Sequence, residues 1–354
     1  MSPDGLGFKY PHVIEDKCID CGLCEKVCPL LNVAEVPQEP ILCAAMRHND
    51  MTELMSSRSG GVFPELARLF IDMGGAVYGA GFDEEFRVVH KRAADMDSIQ
   101  EFRGSKYVQS ELGDSFKEVL NDLKSGKHVL FTGTPCQCAG LKSFIPGKYA
   151  DRLYLVDLIC HGVPSPSVWK DNLMFQQKRL SAPIKAISFR DKKLFGWTAH
   201  RESYMSEEES VTDDFFTFLF YRHIMFRDSC HSCPYASVSR VGDLTLGDFW
   251  GWEKVHPEMN TDDRGVSLIL INTEKGTKML DDVAGSFQVA AVSLSECMQP
   301  NLVAPSSVGK DRENFVRDYT GRGFKYIVKR YSKDSMAFKI KSLYLKVLRK
   351  IKVI

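Results

Sequence analysis

Apolar and polar positions alternate along this chain in short blocks, with no internal repeat of fixed period. The stretch "GVFPELARLFIDMGG" (61–75) places apolar residues at helical spacing and closes on Gly74 and Gly75, so it predicts an amphipathic helix with a glycine stop. "AVYGAGF" (76–82) then reads as a buried strand, and "LGDSFKEVLNDLKSGK" (112–127) as a second amphipathic helix ending at glycine. "HVLFTGTPCQCAGLKSF" (128–144) reads as strand, tight turn and helix. Further strands are expected in "RLYLVDLIC", "LTLGDFWG" and "VSLILINT", with fewer clear helices between them. Strands alternating with helices predict an α/β fold (α+β as the variant) around a largely parallel sheet.

Four zones follow: a cysteine segment over 1–40 ending in a Pro-containing linker, an α/β stretch over 41–125, a second over 126–300 with dispersed cysteines, and a tail over 301–354. From residue 322 onward the tail is dense in Lys and Arg, and Asp334 is the sole acid of residues 322–354. Met336, Ile340, Leu343, Val347 and Ile351 fall on one helical face there, with Lys339, Lys341, Lys346, Arg349, Lys350 and Lys352 around it. Such a basic amphipathic helix either docks on the body, which is the reading preferred here, or lies on a membrane surface or a partner through residues 336–352.

Composition narrows the class. With 46 basic and 46 acidic residues the net charge is zero, which gives no hint of nucleic-acid binding. The first seventeen residues lack the apolar core of a signal peptide, and no run of about 18 apolar residues exists to span a membrane. Eleven cysteines, several of them clustered, point to metal or redox chemistry in a reducing cytoplasm rather than to disulfides.

The most specific signal is "KCIDCGLCEKVCP". Cys18, Cys21, Cys24 and Cys28 follow the C-x2-C-x2-C-x3-C-P pattern of bacterial ferredoxins, whose thiolates hold a 4Fe-4S cluster within a compact loop. Zinc sites usually pair two C-x2-C units across a longer spacer, which this run does not. Cys136 and Cys138 in "GTPCQC", Cys160 in "LICHG", and Cys230 and Cys233 in "CHSCP" stand beside Gly or Pro at strand ends and turns, where open α/β sheets place their ligands. Cys230 and Cys233 with His231 read as metal ligands, for iron–sulfur or for zinc. Cys43 and Cys297 stand alone and read as small core residues.

Three loops have the residues of an anionic-cofactor site. "SSRSGGVF" sets Ser59, Gly60 and Gly61 before a helix, where free N–H groups attract phosphate. "LFTGTPC" does the same with Thr132, Gly133 and Thr134, and "RGSKYVQS" adds Lys106, Tyr107, Gln109 and Ser110. Neither GxGxxG nor a P-loop is present.

Taken in order, "SSRSGG", "RGSKYVQS", "GTPCQCAGLKSF", "CHGVPSP", "ISFRDK", "CHSCPYA", "LTLGDFWG" and "GVSLILINT" resemble the coenzyme F420 hydrogenase/dehydrogenase beta-subunit family from about residue 15 to residue 300. The resemblance implies an iron–sulfur flavoprotein, a flavin-dependent oxidoreductase of the reductase/dehydrogenase beta-subunit type. It would pass electrons between 4Fe-4S clusters, FAD and an acceptor that is either a small molecule or a redox partner protein. It implies Cys136, Cys160, Cys230 and Cys233 as ligands of a cluster near the flavin, with the three loops contacting FAD. Cys138 departs from the family pattern and is left out. Relatives commonly carry two ferredoxin runs, so residues 1–40 are expected to be half of a two-cluster module. No residue is singled out as catalytic; Asp248 and His161 read as groups that shape a site. The alternatives are a non-enzymatic electron-transfer subunit of a larger complex and a zinc-bound interaction module.

Overall fold

The computed structural model describes residues 1–33 and 39–333, so the predicted basic helix of the tail lies outside the described residues. In chain order the main elements are strand β1 (Leu42–His48), helix α1 (Val62–Asp72), strands β2 (Ala76–Phe82) and β3 (Val88–Ala93), helix α2 (Ser115–Lys124), strand β4 (Val129–Gly133), helix α3 (Pro135–Phe144) and strand β5 (Leu153–Leu158). They continue with helices α4 (Pro166–Gln177) and α5 (Phe215–Tyr221), strands β6 (Leu244–Asp248) and β7 (Ser267–Ile271), helix α6 (Glu274–Val283), strand β8 (Phe287–Val292), and helices α7 (Arg312–Arg322) and α8 (Phe324–Tyr331).

Among the described residues, the eight strands form one sheet in the order β8-β1-β7-β6-β5-β4-β2-β3. The three junctions β6–β5, β5–β4 and β4–β2 are parallel, and the other four are antiparallel. The expectation of a largely parallel sheet therefore holds for the centre and fails at the flanks. At one flank the reason is the connection: β2 returns as β3 through a tight reversal at Asp83–Arg87, which leaves no room for a crossover helix, while at the other β7 runs back along β6 after a longer connection over residues 249–266. A second, three-stranded antiparallel sheet is formed by Ala186–Ser188, Glu202–Met205 and Ser210–Asp213.

Helices cover both faces. Leu66, Ala67 and Phe70 of α1 meet Met279, Leu280 and Val283 of α6 on one side, with Leu130, Val156 and Ile269 of the sheet beneath them. Val119 and Leu123 of α2, with Ala139 and Leu141 of α3, pack on the other. A third cluster joins α4, α5, α7 and α8, and the N-terminal residues Leu6 and Phe8 are buried in it. At the sheet's centre Asp157 and Arg240 form a fully buried ion pair at 2.8 Å, and Thr245 Oγ1 and the Gly242 N–H also donate to the Asp157 carboxylate. All the partners are satisfied internally, the condition for tolerating such a pair.

Candidate functional site

At the carboxyl ends of β4, β5 and β6 the sheet opens into a cavity of about 700 Å³, the place where α/β sheets bind ligands. Of the loop residues singled out in the sequence, Ser59, Gly61, Lys106, Tyr107, Ser110, Thr132, Gly133 and Thr134 line it. Gly60 and Gln109 do not; they brace the wall. The Gly60 carbonyl accepts from the His48 N–H at 2.8 Å, its own N–H donates to Ser267 Oγ, and the Gln109 side-chain oxygen accepts from Arg227 at 3.1 Å. A Cβ at position 60 would meet the Met46 carbonyl oxygen at 2.1 Å, so only glycine fits there.

Local chemistry explains the shape. Gly61 takes φ +90° immediately before α1, a conformation favourable to glycine, and leaves the first N–H groups of that helix open to the cavity. At the next strand end Pro135 begins α3, and the Thr134 N–H donates to Gln137 Oε1 at 3.0 Å, which fixes the turn after β4. Gln137 passes on to Ser110 Oγ at 2.8 Å and so ties two of the loops together.

The lining also contains cations that sequence reasoning passed over. Arg58, Arg103 and Arg190 join Lys106 in facing the cavity, against Asp248 as its sole acid. Asp248 is held by Arg190 at 2.5 Å, and Arg58 donates to the Trp197 carbonyl. Arg58 Nε and Nη1, Arg103 Nε and Arg190 Nε are buried with no acceptor. Guanidinium N–H groups without partners in a dry wall are costly unless an anion meets them. Burial brings the Lys106 ammonium down to about 7 and holds its neighbour Tyr107 well above the ordinary phenol range. His90, His161 and His200, also in the wall, are pushed down to about 4 by burial and are neutral at pH 7. A positively charged, deep cavity with glycine at a helix N-terminus fits a dinucleotide such as FAD: Arg58 and the α1 N-terminus would hold the diphosphate, and Trp250, Tyr107 and Phe220 offer aromatic faces.

The dispersed cysteines gather beside this cavity. Cys160 follows β5 and lines the wall; its thiol lies within charge range of Cys136, Cys230 and Cys233. Cys136 stands in the first turn of α3, 3.2 Å from Thr134 Oγ1, and Cys230 accepts from the Val163 N–H at 3.4 Å. Burial pushes the Cys160, Cys230 and Cys233 thiols up, Cys230 to about 11, and the neighbouring thiols add to the rise. As thiolates in so dry a place, the four would need a cationic centre, which a metal cluster would supply. Among the described residues no three His, Cys, Asp or Glu side chains converge on one metal-sized point, so the four are neighbours short of a finished ligand set. His231 turns its Nδ1 to the Ser306 carbonyl at 2.9 Å, and its Nε2 is buried without a partner. Cys138, left out of the ligand set, is buried with its thiol on the carbonyls of Gly133 and Val156.

Cys18, Cys21 and Cys24 are exposed and Cys28 half-buried, in short turns around Leu23–Lys26. This run is not remote from the other thiols. The Pro29 carbonyl accepts from the Tyr235 hydroxyl at 2.6 Å, two residues past Cys233, and the Pro29 ring lies next to Gly140 in α3, the helix that bears Cys136. Among the described residues, no helix is long and apolar enough to cross a membrane.

Comparison with known proteins agrees with this layout. Residues 126–296 match the family defined by the C terminus of the coenzyme F420 hydrogenase/dehydrogenase beta subunit, and residues 10–36 match a 4Fe-4S binding domain. No curated protein matches. Among solved structures, a chain of the F420-reducing [NiFe] hydrogenase complex from Methanosarcina barkeri superposes with a TM-score of 0.52 at 18% identity, over 85% of this chain and 97% of that one. At that identity the likeness establishes a shared fold. Residues 126–296 thus match the C-terminal region of the coenzyme F420 hydrogenase/dehydrogenase beta subunit, and a match to a 4Fe-4S binding segment lies ahead of that region.

Proposed function

We propose that the chain is an iron–sulfur flavoprotein oxidoreductase acting in the cytoplasm, in which FAD occupies the cavity and electrons move between it and two groups of cysteine-held iron. The acceptor is a redox partner protein or a small molecule. The observation that carries the reading is spatial. The ferredoxin-type run touches Tyr235 beside Cys233, Cys233 neighbours Cys160, and Cys160 forms part of the cavity wall.

A bound flavin would supply the exchange between one-electron and two-electron steps. The chain's own residues do the positioning. Arg58, Arg103 and the N–H groups at the start of α1 offer donors to an anionic diphosphate. Asp248, pinned by Arg190, keeps that guanidinium aimed along the wall instead of free in the cavity. Neutral His161 donates or accepts with His223 at 2.8 Å, and so holds the segment after Cys160 in place. The aromatic and apolar lining excludes water from the ring.

The test is the content of iron, acid-labile sulfide and flavin in anaerobically purified protein. The reading expects FAD at one per chain, with about four irons and four sulfides for each cluster. Protein with zinc in place of iron, or iron with no retained or restorable flavin, would sink it.

A further inference from the structure

Cys43 and Cys297 belong to neither group of expected ligands, and they are far apart in the sequence. The fold brings them together. Cys43 lies on β1, and β8 pairs with that strand so that Val292 faces Cys43. The chain then turns through residues 293–296, where the Glu296 carboxylate accepts from both the N–H and the hydroxyl of Ser293. Cys297 follows, in the same buried cluster as Cys43, with Trp197, Phe249 and Leu268 around them. The Cys297 S–H donates to the Leu294 carbonyl at 3.3 Å. The two thiols also share a hydrogen bond, and with the Cys297 proton so placed it is Cys43 that donates. That bond holds Cys43 above the ordinary thiol range and Cys297 below it.

We propose that Cys43 and Cys297 form a redox-active dithiol that closes to an intrachain disulfide, a modification site separate from the iron–sulfur ligands. In closing, the two thiols release two protons and two electrons as the S–S bond forms. A small hydroperoxide takes them up, hydrogen peroxide becoming two molecules of water, and an added dithiol reverses the step. The bond requires the sulfurs to approach to about 2.05 Å, within the one buried cluster that already holds both thiols. Cys43 is 7% exposed and Cys297 not at all, which excludes a bulky disulfide and is why the oxidant proposed is one the size of peroxide.

The consequence reaches the cavity. Gln299, two residues past Cys297, donates to the Asp248 backbone carbonyl at 2.8 Å, and Asn301 reaches the His161 carbonyl through Ser306. Gln299 and Asn301 line the cavity. Cys43's strand ends at His48, whose N–H holds Gly60 in the serine–glycine loop on another wall. A Cys43–Cys297 bond therefore ties two walls of the cavity together, whatever occupies it.

The experiment uses the full chain with its cofactors, purified anaerobically, exposed to graded hydrogen peroxide, then unfolded in alkylating agent and digested for mass spectrometry. The expected result is that Cys43 and Cys297 lose alkylation together and reappear as one cross-linked peptide, two hydrogens lighter than the sum. That peptide should vanish on treatment with dithiothreitol. In Cys43→Ser, Cys297 should regain full alkylation at the same peroxide dose. Full alkylation of both cysteines in the oxidised wild type, or cross-links from either one to a ligand cysteine in similar yield, would overturn the proposal. The wild-type map decides the question even if the variant does not fold.

Discussion

Cys18, Cys21, Cys24 and Cys28 lie within eleven consecutive residues, none of them buried, whereas the cavity and its four thiols draw on β2 through β7 and loops from residue 57 to residue 301. The first region is informational: its spacing states what it binds, and little but the docking of Pro29 holds it in place. The second is architectural, assembled by a sheet whose core stands on its own. A segment with no core owes its order to its metal, and a cavity set in a packed sheet does not. Losing a ligand should therefore act locally in the first region, and losing a core residue globally in the second.

The largest effect expected is in the run. Cys24→Ser should abolish that cluster, removing about four irons per chain, while flavin content and the melting temperature of the body stay near wild type. Iron analysis beside differential scanning fluorimetry checks this, and a collapse of flavin content would erase the contrast. Next comes Asp157→Ala. It leaves Arg240 buried and unpaired at the sheet's centre and should cost about 3–5 kcal/mol, read by chemical denaturation, with the whole body unfolding as one unit. Unchanged stability would mean that the cavity is not braced by the sheet as described.

Arg58→Ala probes the cavity wall without unfolding anything. It removes two unpartnered donor nitrogens, and flavin affinity should fall by roughly 10- to 100-fold, the worth of a charge-assisted bond. Quenching of flavin fluorescence measures it. The smallest effect is one of pH. Lys106 is lowered to about 7 by burial, so its charge is present below that pH and lost above it. An anionic ligand binds the charged form better, so affinity should weaken by up to about tenfold per unit as pH rises above 7. The folded apo body moves the opposite way: the unfolded chain holds that proton more tightly, so stability rises with pH between about 7 and the ordinary lysine value. A Lys106→Met variant that keeps the same pH profile would show that another group sets the dependence.

Much of this was legible in the sequence. Helical spacing and glycine stops located α1 and α2, and "HVLFTGTPCQC" marked β4 and the turn into α3, because local periodicity and capping chemistry decided those elements. The antiparallel flanks were not legible, since strand direction depends on connections and not on composition. Most of the loop residues chosen for a cofactor do line the cavity. Arg58 and Arg103 stood inside the very loops quoted, but a loop arginine looks like a solvated charge until burial is known. Cys43 and Cys297 illustrate the same limit, as lone core cysteines in sequence that the fold makes into a pair.

Electrons entering at the exposed run should reach the cavity within one chain. Rapid mixing of anaerobic, FAD-loaded protein with a reduced one-electron donor protein, following flavin bleaching, tests this in wild type and in Cys24→Ser carrying equal flavin. Prompt bleaching is expected in the wild type, with its loss or strong slowing in the variant. Equal rates in the two would show that the run does not feed the cavity.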